Sequence, residues 1–207
     1  KNYVSGGYKG ISTQGSGNII TENDVDAENQ GILAADNSVV VGNYVHTSGS
    51  STGIAVDGNN VLVANNTIIT QNGPGIDIFS DSGNNSTLSG NNITSNNYGI
   101  YSKGEYTHVI IENNRVTSQK EGILFKQKSR NKKMNHIFVS NNNIKSDADY
   151  AINFNETGSL TVNDVNVTVT QSNVLTSANG VGIDVAYLPP GNVNSSTGTD
   201  SNQTIII

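Results

Sequence analysis

The amino-acid sequence predicts an all-β solenoid in which one chain winds into about eight stacked coils of three short strands. Three observations predict this fold class. Two sequence markers recur with a shared period of 20 to 31 residues, and the aliphatic residues between them alternate as they do in β-strands. The composition, with 33 Asn and 22 Gly in 207 residues, is unfavourable for helices, because both residues are weak helix formers.

Two markers define the repeat. The first is a glycine followed by isoleucine, and the second is an asparagine followed two residues later by Val, Ile or Leu. The glycines are Gly10, Gly31, Gly53, Gly75, Gly99, Gly122 and Gly182, with Ala151 filling one gap, and the asparagines are Asn2, Asn23, Asn43, Asn66, Asn91, Asn114, Asn142 and Asn173. From asparagine to the next glycine (or Ala151) the distance is always 8 to 10 residues, but from there to the next asparagine it ranges from 12 to 22. We therefore expect one corner of the coil to be constant and another to accept insertions.

Aligned repeats place aliphatic residues in three columns, which predicts three inward-facing strands per coil. The columns are Ile11, Ile32, Ile54, Ile76, Ile100, Ile123, Ile152 and Ile183; then Ile20, Val40, Val63, Leu88, Ile111, Val139 and Thr170; then Val25, Val45, Ile68, Ile93, Val116, Ile144 and Leu175. One coil cannot bury these side chains alone, whereas stacked coils bury them in a continuous core. We expect the repeat asparagines to form an amide ladder, and the repeat glycines to supply a backbone angle that other residues avoid.

The segment SGNNITSNNYGI at residues 89–100 resembles the repeats of single-stranded right-handed parallel β-helix proteins of the pectate-lyase-like superfamily, and the resemblance extends over the whole chain. The Asn-rich, Cys-free style is most similar to adhesin-like surface proteins of archaea and bacteria. The resemblance implies one β-helix domain over residues 1–207. It does not select a function, because this fold carries lyases, hydrolases, epimerases and adhesins alike.

Charge and motifs narrow the function classes. The net charge of −6 argues against nucleic acid as a partner, and no apolar run is long enough for membrane insertion. The catalytic motifs of polygalacturonase-like and epimerase-like members are not found in the sequence, so we expect a protein that is not an enzyme and uses no cofactor. The three histidines, His46, His108 and His136, are not expected to converge.

One outward strip of residues is a candidate binding surface. Positions two and four after the repeat glycine alternate with the buried column, and they contribute Asp57, then Asp77 and Phe79, Tyr101 and Lys103, and Leu124 and Lys126 on successive coils. Carboxylate, aromatic and ammonium groups about one strand spacing apart suit a sugar ring. The alternative is a mixed solvated sheet face whose aromatic residues serve β-propensity.

An acidic row allows two interpretations as well. Glu22, Asp24, Asp26 and Glu28 alternate around the inward Val25, so their side chains are expected on one outer face. Four acids so close together attract calcium when they are bunched in a loop, whereas spread along a strand they discourage sideways pairing with another sheet. We expect the second role and no metal site.

Charge is also segregated along the chain. Residues 10–102 contain eight acids and no Lys or Arg, residues 103–145 contain nine bases and three acids, and residues 146–207 contain six acids and no bases. The basic peak is Lys126, Lys128, Arg130, Lys132 and Lys133, within one insertion. This peak is a candidate surface for a cell-surface glycan or for the acidic flank of a second subunit; the alternative is a solvated loop.

Asn85 and Asn155 are the glycosylation candidates among eight sequons, a number expected by chance.

The chain ends are candidate assembly surfaces. A β-helix exposes open strand edges at both ends, and such edges pair readily with another chain. We expect end-to-end strand addition into a homo-oligomer, through Asn2, Tyr3 and Val4 at one end and Ile205, Ile206 and Ile207 at the other. Residues 155–207 fit the repeat least well, and residues 186–207 within them are interpreted as an irregular arm or docking segment.

These features together predict an extracellular, cell-surface protein with a structural or adhesive role, self-assembling head to tail into a filament or stalk. The alternative is a carbohydrate-active enzyme or a glycan-binding module that uses the strip through Asp77, Tyr101 and Lys103.

Overall fold

The structure, a computed structural model, describes residues 1–79, 84–104, 106–127, 134–156, 165–170, 172–178, 182–185 and 203–206. Every regular element in these ranges is a β-strand. The strands are β1 (Tyr3–Ser12), β2 (Ile19–Thr21), β3 (Asp24–Ala34), β4 (Val39–Val41), β5 (Tyr44–Thr47), β6 (Ile54–Val56), β7 (Leu62–Ala64), β8 (Thr67–Thr70), β9 (Ile76–Ile78), β10 (Thr87–Ser89), β11 (Asn92–Ser95), β12 (Ile100–Lys103), β13 (Tyr106–Glu112), β14 (Arg115–Ser118), β15 (Ile123–Gln127), β16 (Met134–Ser140), β17 (Asn143–Ser146), β18 (Ile152–Glu156), β19 (Val165–Val169), β20 (Val174–Ser177), β21 (Ile183–Val185) and β22 (Gln203–Ile206).

The strands stack into three faces of parallel strands. Face 1 begins with the C-terminal half of β3 and continues through β6, β9, β12, β15, β18 and β21. Face 2, which has eight strands in the described residues, runs through β2, β4, β7, β10, β13, β16, β19 and β22. Face 3 begins with the N-terminal half of β3 and continues through β5, β8, β11, β14, β17 and β20, while β1 pairs along both halves of β3. The predicted all-β solenoid of stacked parallel coils is confirmed.

The three predicted aliphatic columns supply most of the core, and buried residues outside them, such as Ile78 and Phe125, supply the rest. On face 1, Ile54 pairs in register with Ile76, Ile76 with Ile100 and Ile100 with Ile123, and all four side chains are buried. Like side chains therefore lie on one another at the spacing of parallel strands, about 4.8 Å. This stacking removes them from water without any single coil needing a core of its own.

The second column departs from the prediction at its last member. Val169, and not Thr170, pairs with Val139, and the Val169 side chain is buried. The reason is one extra residue between this strand and its repeat asparagine: Val139 lies three residues before Asn142, whereas Val169 lies four before Asn173. Burial of the apolar Val169 side chain sets the register here, and the extra residue lies between the end of β19 and Asn173.

The predicted asparagine ladder runs through all eight repeat positions. Each side-chain Nδ2 donates to the Oδ1 of the next asparagine at 2.9 to 3.0 Å, from Asn2 through Asn23, Asn43, Asn66, Asn91, Asn114 and Asn142 to Asn173. The same Oδ1 atoms accept a backbone N–H, as Asn91 Oδ1 does from Asn66. The second Nδ2 hydrogen reaches a main-chain carbonyl, as Asn91 reaches Val63. The ladder thus satisfies polar groups inside a dry corner.

The predicted role of the repeat glycines is wrong. None of the repeat glycines among the described residues has a positive φ; that conformation lies instead at the residue before the ladder asparagine, with φ between 54° and 68° at Glu22, Gly42, Asn65, Gly90, Asn113 and Asn141. The repeat glycines are required by close approach. A Cβ on Gly99 would lie 2.2 Å from a Val116 methyl and 2.5 Å from the Gly122 carbonyl oxygen. From Gly10 to Gly122 a side chain at this corner would clash with the next coil, so glycine recurs there until Ala151 takes the position.

The terminal strands lie at opposite ends of the stack. β1 carries Tyr3 and Val4, which pair with Asp24 and Val25 of β3. At the other end β22, with Ile205 and Ile206, pairs with β19 as the outermost strand of face 2, whereas Ile207 and residues 186–202 lie outside the described residues. Within the described ranges, no helix is long and apolar enough to cross a lipid bilayer.

Candidate functional site

A shallow cleft of about 270 Å³ opens on the outer surface of face 1. Its lining residues are Asp57, Asp77, Ile78, Phe79, Tyr101 and Lys103. Five of the six belong to the strip that the sequence singles out, so three successive coils bring those side chains into one depression. Ile78 is the exception, and its own side chain points into the core, where it is fully buried.

Strand pairing explains why these residues meet although they are more than 20 positions apart. Asp77 of β9 pairs in register with Tyr101 of β12, and Ala55 pairs with Asp77 on the other side. Ala55 is fully buried and does not line the cleft, whose space lies beside Asp77. The aromatic side chains of Phe79 and Tyr101 and the charged ends of Asp57 and Lys103 then line that space.

The carboxyl group of Asp77 is in an unusual electrostatic environment. Burial in the cleft raises its pKa from 3.8 to about 7, and the nearby Lys103 ammonium acts in the opposite direction. Asp77 therefore exchanges a proton near neutral pH, which an ordinary surface carboxyl does not do. Protonated, it donates a hydrogen bond; ionised, it only accepts.

Tyr101, which lines the cleft, contacts a second tyrosine, Tyr98, which is not among the lining residues. The rings of Tyr98 and Tyr101 stack with centroids 5.1 Å apart and planes 19° from parallel, and the Lys120 ammonium lies 4.9 Å above the Tyr98 ring. Burial, followed by the Asp77 carboxyl, raises the pKa of Tyr101 to about 12. Tyr101 thus stays a neutral hydrogen-bond donor over the whole physiological range.

Replacing Asp77 with asparagine should change how stability depends on pH. A carboxyl whose folded pKa is raised stabilises the folded state at pH values below its unfolded pKa, and this contribution is lost as the pH rises from about 4 through about 7. The Asn variant lacks that loss. Its melting temperature relative to the unmodified protein should therefore rise between pH 5 and pH 8. A difference that is equal at both values, measured by circular dichroism, would contradict the buried position of Asp77.

The positions that continue the strip beyond Tyr101 are buried. Leu124, next in the same register, is 3 % exposed, and Asn153 after it is also 3 % exposed. Asn153 donates to Glu121 Oε1 at 3.2 Å, and burial raises the pKa of the Glu121 carboxyl. The cleft therefore has a polar but covered boundary on this side, and the sequence-based extension of the open strip through Leu124 is wrong.

Sequence reasoning missed the tyrosine that stacks on Tyr101 and the glutamate at the boundary of the cleft. Tyr98 and Glu121 occupy the same repeat position, directly before Gly99 and Gly122. The signal was therefore present in the alignment of the repeats, one column upstream of the glycine. It was not used because alternation alone assigns that position to a turn.

The remaining predicted binding residues are placed as follows. Lys126 is half-buried and pairs in register with Lys103, which brings two ammonium groups to adjacent coils. Lys128, Arg130, Lys132 and Lys133 lie outside the described residues. Asn85 is exposed with φ of 55°, and Asn155 lies in β18. Glycosylation at both stays a prediction.

The acidic row does not assemble into a ligand set. Glu22 lies in the turn before the ladder, and Asp26 Oδ1 lies 2.8 Å from His46 Nδ1 on the next coil. Across the described residues, no group of three or more His, Cys, Asp or Glu side chains is arranged to hold a metal ion.

The expectation that the histidines do not converge is wrong for two of them. The rings of His108 and His136 stack with centroids 4.5 Å apart and planes within 3° of parallel. Each lies six residues before a ladder asparagine, Asn114 and Asn142. Counting from the asparagine reveals the shared position, whereas counting from the preceding glycine hides it behind insertions of different length.

Comparison with known proteins agrees with this architecture. A family profile described as a right-handed β-helix region matches residues 1–135. No curated protein and no solved structure gives a significant match. The matched segment covers well over half of the chain and includes the Asp77–Tyr101 cleft. On the strength of this match and of its stacked parallel coils, the chain belongs to the right-handed β-helix family.

Proposed function

We propose that this protein is a structural β-helix rod of the cell surface that binds a glycan in the cleft at Asp77, Phe79, Tyr101 and Lys103. The observation that carries the proposal is the convergence of two aromatic side chains, two carboxyl groups and one ammonium group in a single depression. Each class of group matches one feature of a sugar. Aromatic rings offer an apolar surface to the C–H face of a pyranose, while charged and polar groups bind its hydroxyls.

The shape of the cleft supports a chain-like ligand. At about 270 Å³ and open to solvent, the cleft has room for roughly one sugar unit, below the volume range typical of drug-sized ligand pockets. An open site on the side of a rod can hold one unit of a longer polysaccharide while the rest of the chain stays in solvent. Lys103 and Lys126 on adjacent coils favour a glycan that carries negative charge.

The rigidity of the site supports binding without large rearrangement. Asp77 and Tyr101 extend from paired strands whose opposite sides are packed in the core, so the binding groups are held before the ligand arrives. An adhesive role needs such a preformed surface on a stable extended support. The extracellular location and head-to-tail filaments remain predictions that accompany this role.

A second candidate function is chemistry on the same glycan. The Asp77 carboxyl, with its pKa raised to about 7 by burial, has the proton affinity of a general acid or base at neutral pH. The Tyr101 hydroxyl beside it is a neutral donor. This observation favours testing turnover together with binding.

The test begins by screening the protein against a glycan array. The affinity for each glycan that binds is then compared between the unmodified protein and the Tyr101→Ala variant. Loss of the aromatic surface should weaken binding by about 10-fold or more, as expected for a central aromatic contact. Tyr44→Ala is the matched control, because Tyr44 is an exposed tyrosine on face 3 and should not affect binding.

Two outcomes would overturn parts of the proposal. Equal affinity of the Tyr101→Ala and Tyr44→Ala variants would remove the cleft as the binding site. Release of sugar fragments from a bound glycan, abolished by Asp77→Asn while binding persists, would replace the binding function with the enzymatic one.

A further inference from the structure

A column of unusual backbone conformations runs along the edge where face 2 begins. The residues in it have φ between 54° and 78° and occur once per coil: Gly17, Asn37, Asn60, Asn85, His108 and His136. Glycine and asparagine are expected in this left-handed region, because glycine has no Cβ and asparagine tolerates it best among the other residues. Histidine replaces them on two consecutive coils.

The two histidines are brought to equivalent positions by strand pairing. Thr107 pairs with Asn135 and Val109 with Ile137, so the residues between them lie side by side on β13 and β16. Both imidazole rings are exposed, and their centroids are 4.5 Å apart with nearly parallel planes. Within the described part of the chain, neither ring has a hydrogen bond or an ion pair, whereas His46 contacts Asp26.

This arrangement places four ring nitrogens in two adjacent, exposed side chains. Imidazole nitrogen is a preferred ligand of Zn²⁺, Ni²⁺ and Cu²⁺. A metal–nitrogen bond of about 2.1 Å means that two nitrogens on one ion lie at most about 4.2 Å apart. An imidazole binds a metal ion in the plane of its ring, so the two stacked rings would have to rotate toward each other to share one ion, a movement that their exposed positions allow.

We propose that His108 and His136 form a two-imidazole site for a divalent transition-metal ion, with water completing the coordination. The site is separate from the glycan cleft, since it lies on face 2 and shares no residue with the cleft. It requires both coils to be stacked in register. A bound ion therefore links β13 to β16 on either side of the long basic insertion.

The experiment is calorimetric titration of the full chain with Ni²⁺ and with Zn²⁺. One ion should bind per chain, and His108→Asn and His136→Asn should each weaken the affinity by roughly 100-fold, because one-point attachment replaces two-point attachment. Asparagine is the matched replacement, since Asn37, Asn60 and Asn85 already occupy this column with the same backbone angle. His46→Asn is the control and should leave the affinity unchanged.

A second measurement identifies the ligands directly. In a nitrogen-15 spectrum of the histidine rings, the signals of His108 and His136 should shift together at the same Ni²⁺ or Zn²⁺ concentration, with His46 unaffected. Absence of binding by the unmodified protein, or an affinity in either Asn variant equal to that of the unmodified protein, would falsify the site. Unchanged circular dichroism of the variants separates loss of the ligand from loss of the fold.

Discussion

Ile100→Asp is expected to unfold the protein. The Ile100 side chain is fully buried and lies between Ile76 and Ile123 in the face 1 column. Aspartate there removes an aliphatic contact worth about 2–5 kcal/mol and places a carboxyl group between two isoleucine side chains, which cannot compensate its desolvation. The combined loss is comparable to the whole stability of a typical domain, about 5–15 kcal/mol. Far-UV circular dichroism and a thermal melt measure it.

Two further variants make the Ile100 experiment interpretable. Thr94→Asp adds the same charge at an exposed position in β11, the face 3 strand that precedes β12. It should change stability by about 1 kcal/mol or less. Ile100→Ala should remain folded but unfold at lower denaturant concentration, with a loss of about 2–5 kcal/mol. If Ile100→Asp melted at the same temperature as Thr94→Asp, the column would not be the core.

Asn91→Ala should cause the second-largest loss of stability. Asn91 Oδ1 accepts from the backbone and the side chain of Asn66 at 3.1 and 3.0 Å, and its Nδ2 donates to Asn114 and to the Val63 carbonyl. Alanine leaves these buried groups without their partner, and each such group costs about 1–3 kcal/mol. Since some of them keep another bond, we expect a total of about 3–5 kcal/mol in the free energy of unfolding, measured by urea denaturation.

The neighbouring asparagine is the matched control for Asn91. Asn92 is exposed at the start of β11, so Asn92→Ala makes the same chemical change outside the ladder. Its effect should stay within about 0.5 kcal/mol. Equal effects of the two substitutions would mean that the ladder contributes nothing beyond the packing of a small side chain.

Much of the fold was predictable because every coil uses the same residue types at the same positions. Ile54, Ile76 and Ile100 occupy the same place in successive repeats, and alternation identifies them as inward-facing. The ladder was predictable for the same reason, since Asn66 and Asn91 recur at the marker position. Because each buried position recurs once per repeat, the buried residues form an alignment column that can be recognised in the sequence alone.

The sequence also identified most of the cleft, but not its chemistry. Asp77, Phe79, Tyr101 and Lys103 follow from the position after the repeat glycine. That Asp77 titrates near neutral pH depends on how much water the surrounding side chains exclude, which no spacing reports. The stacking of Tyr98 on Tyr101 depends on ring orientation at a turn, where alternation carries no information.

What the sequence determined by itself is the winding of the chain: its period, its three inward columns and its amide ladder. Those features follow from residue type at fixed spacing. The tertiary structure decided the rest, namely that Gly99 is required by close approach, that Val169 replaces Thr170 in the core, and that His108 meets His136. The physical reason is that residues on adjacent coils become neighbours only across turns of unequal length. Their register is set by hydrogen bonding and burial, and not by the number of residues between them.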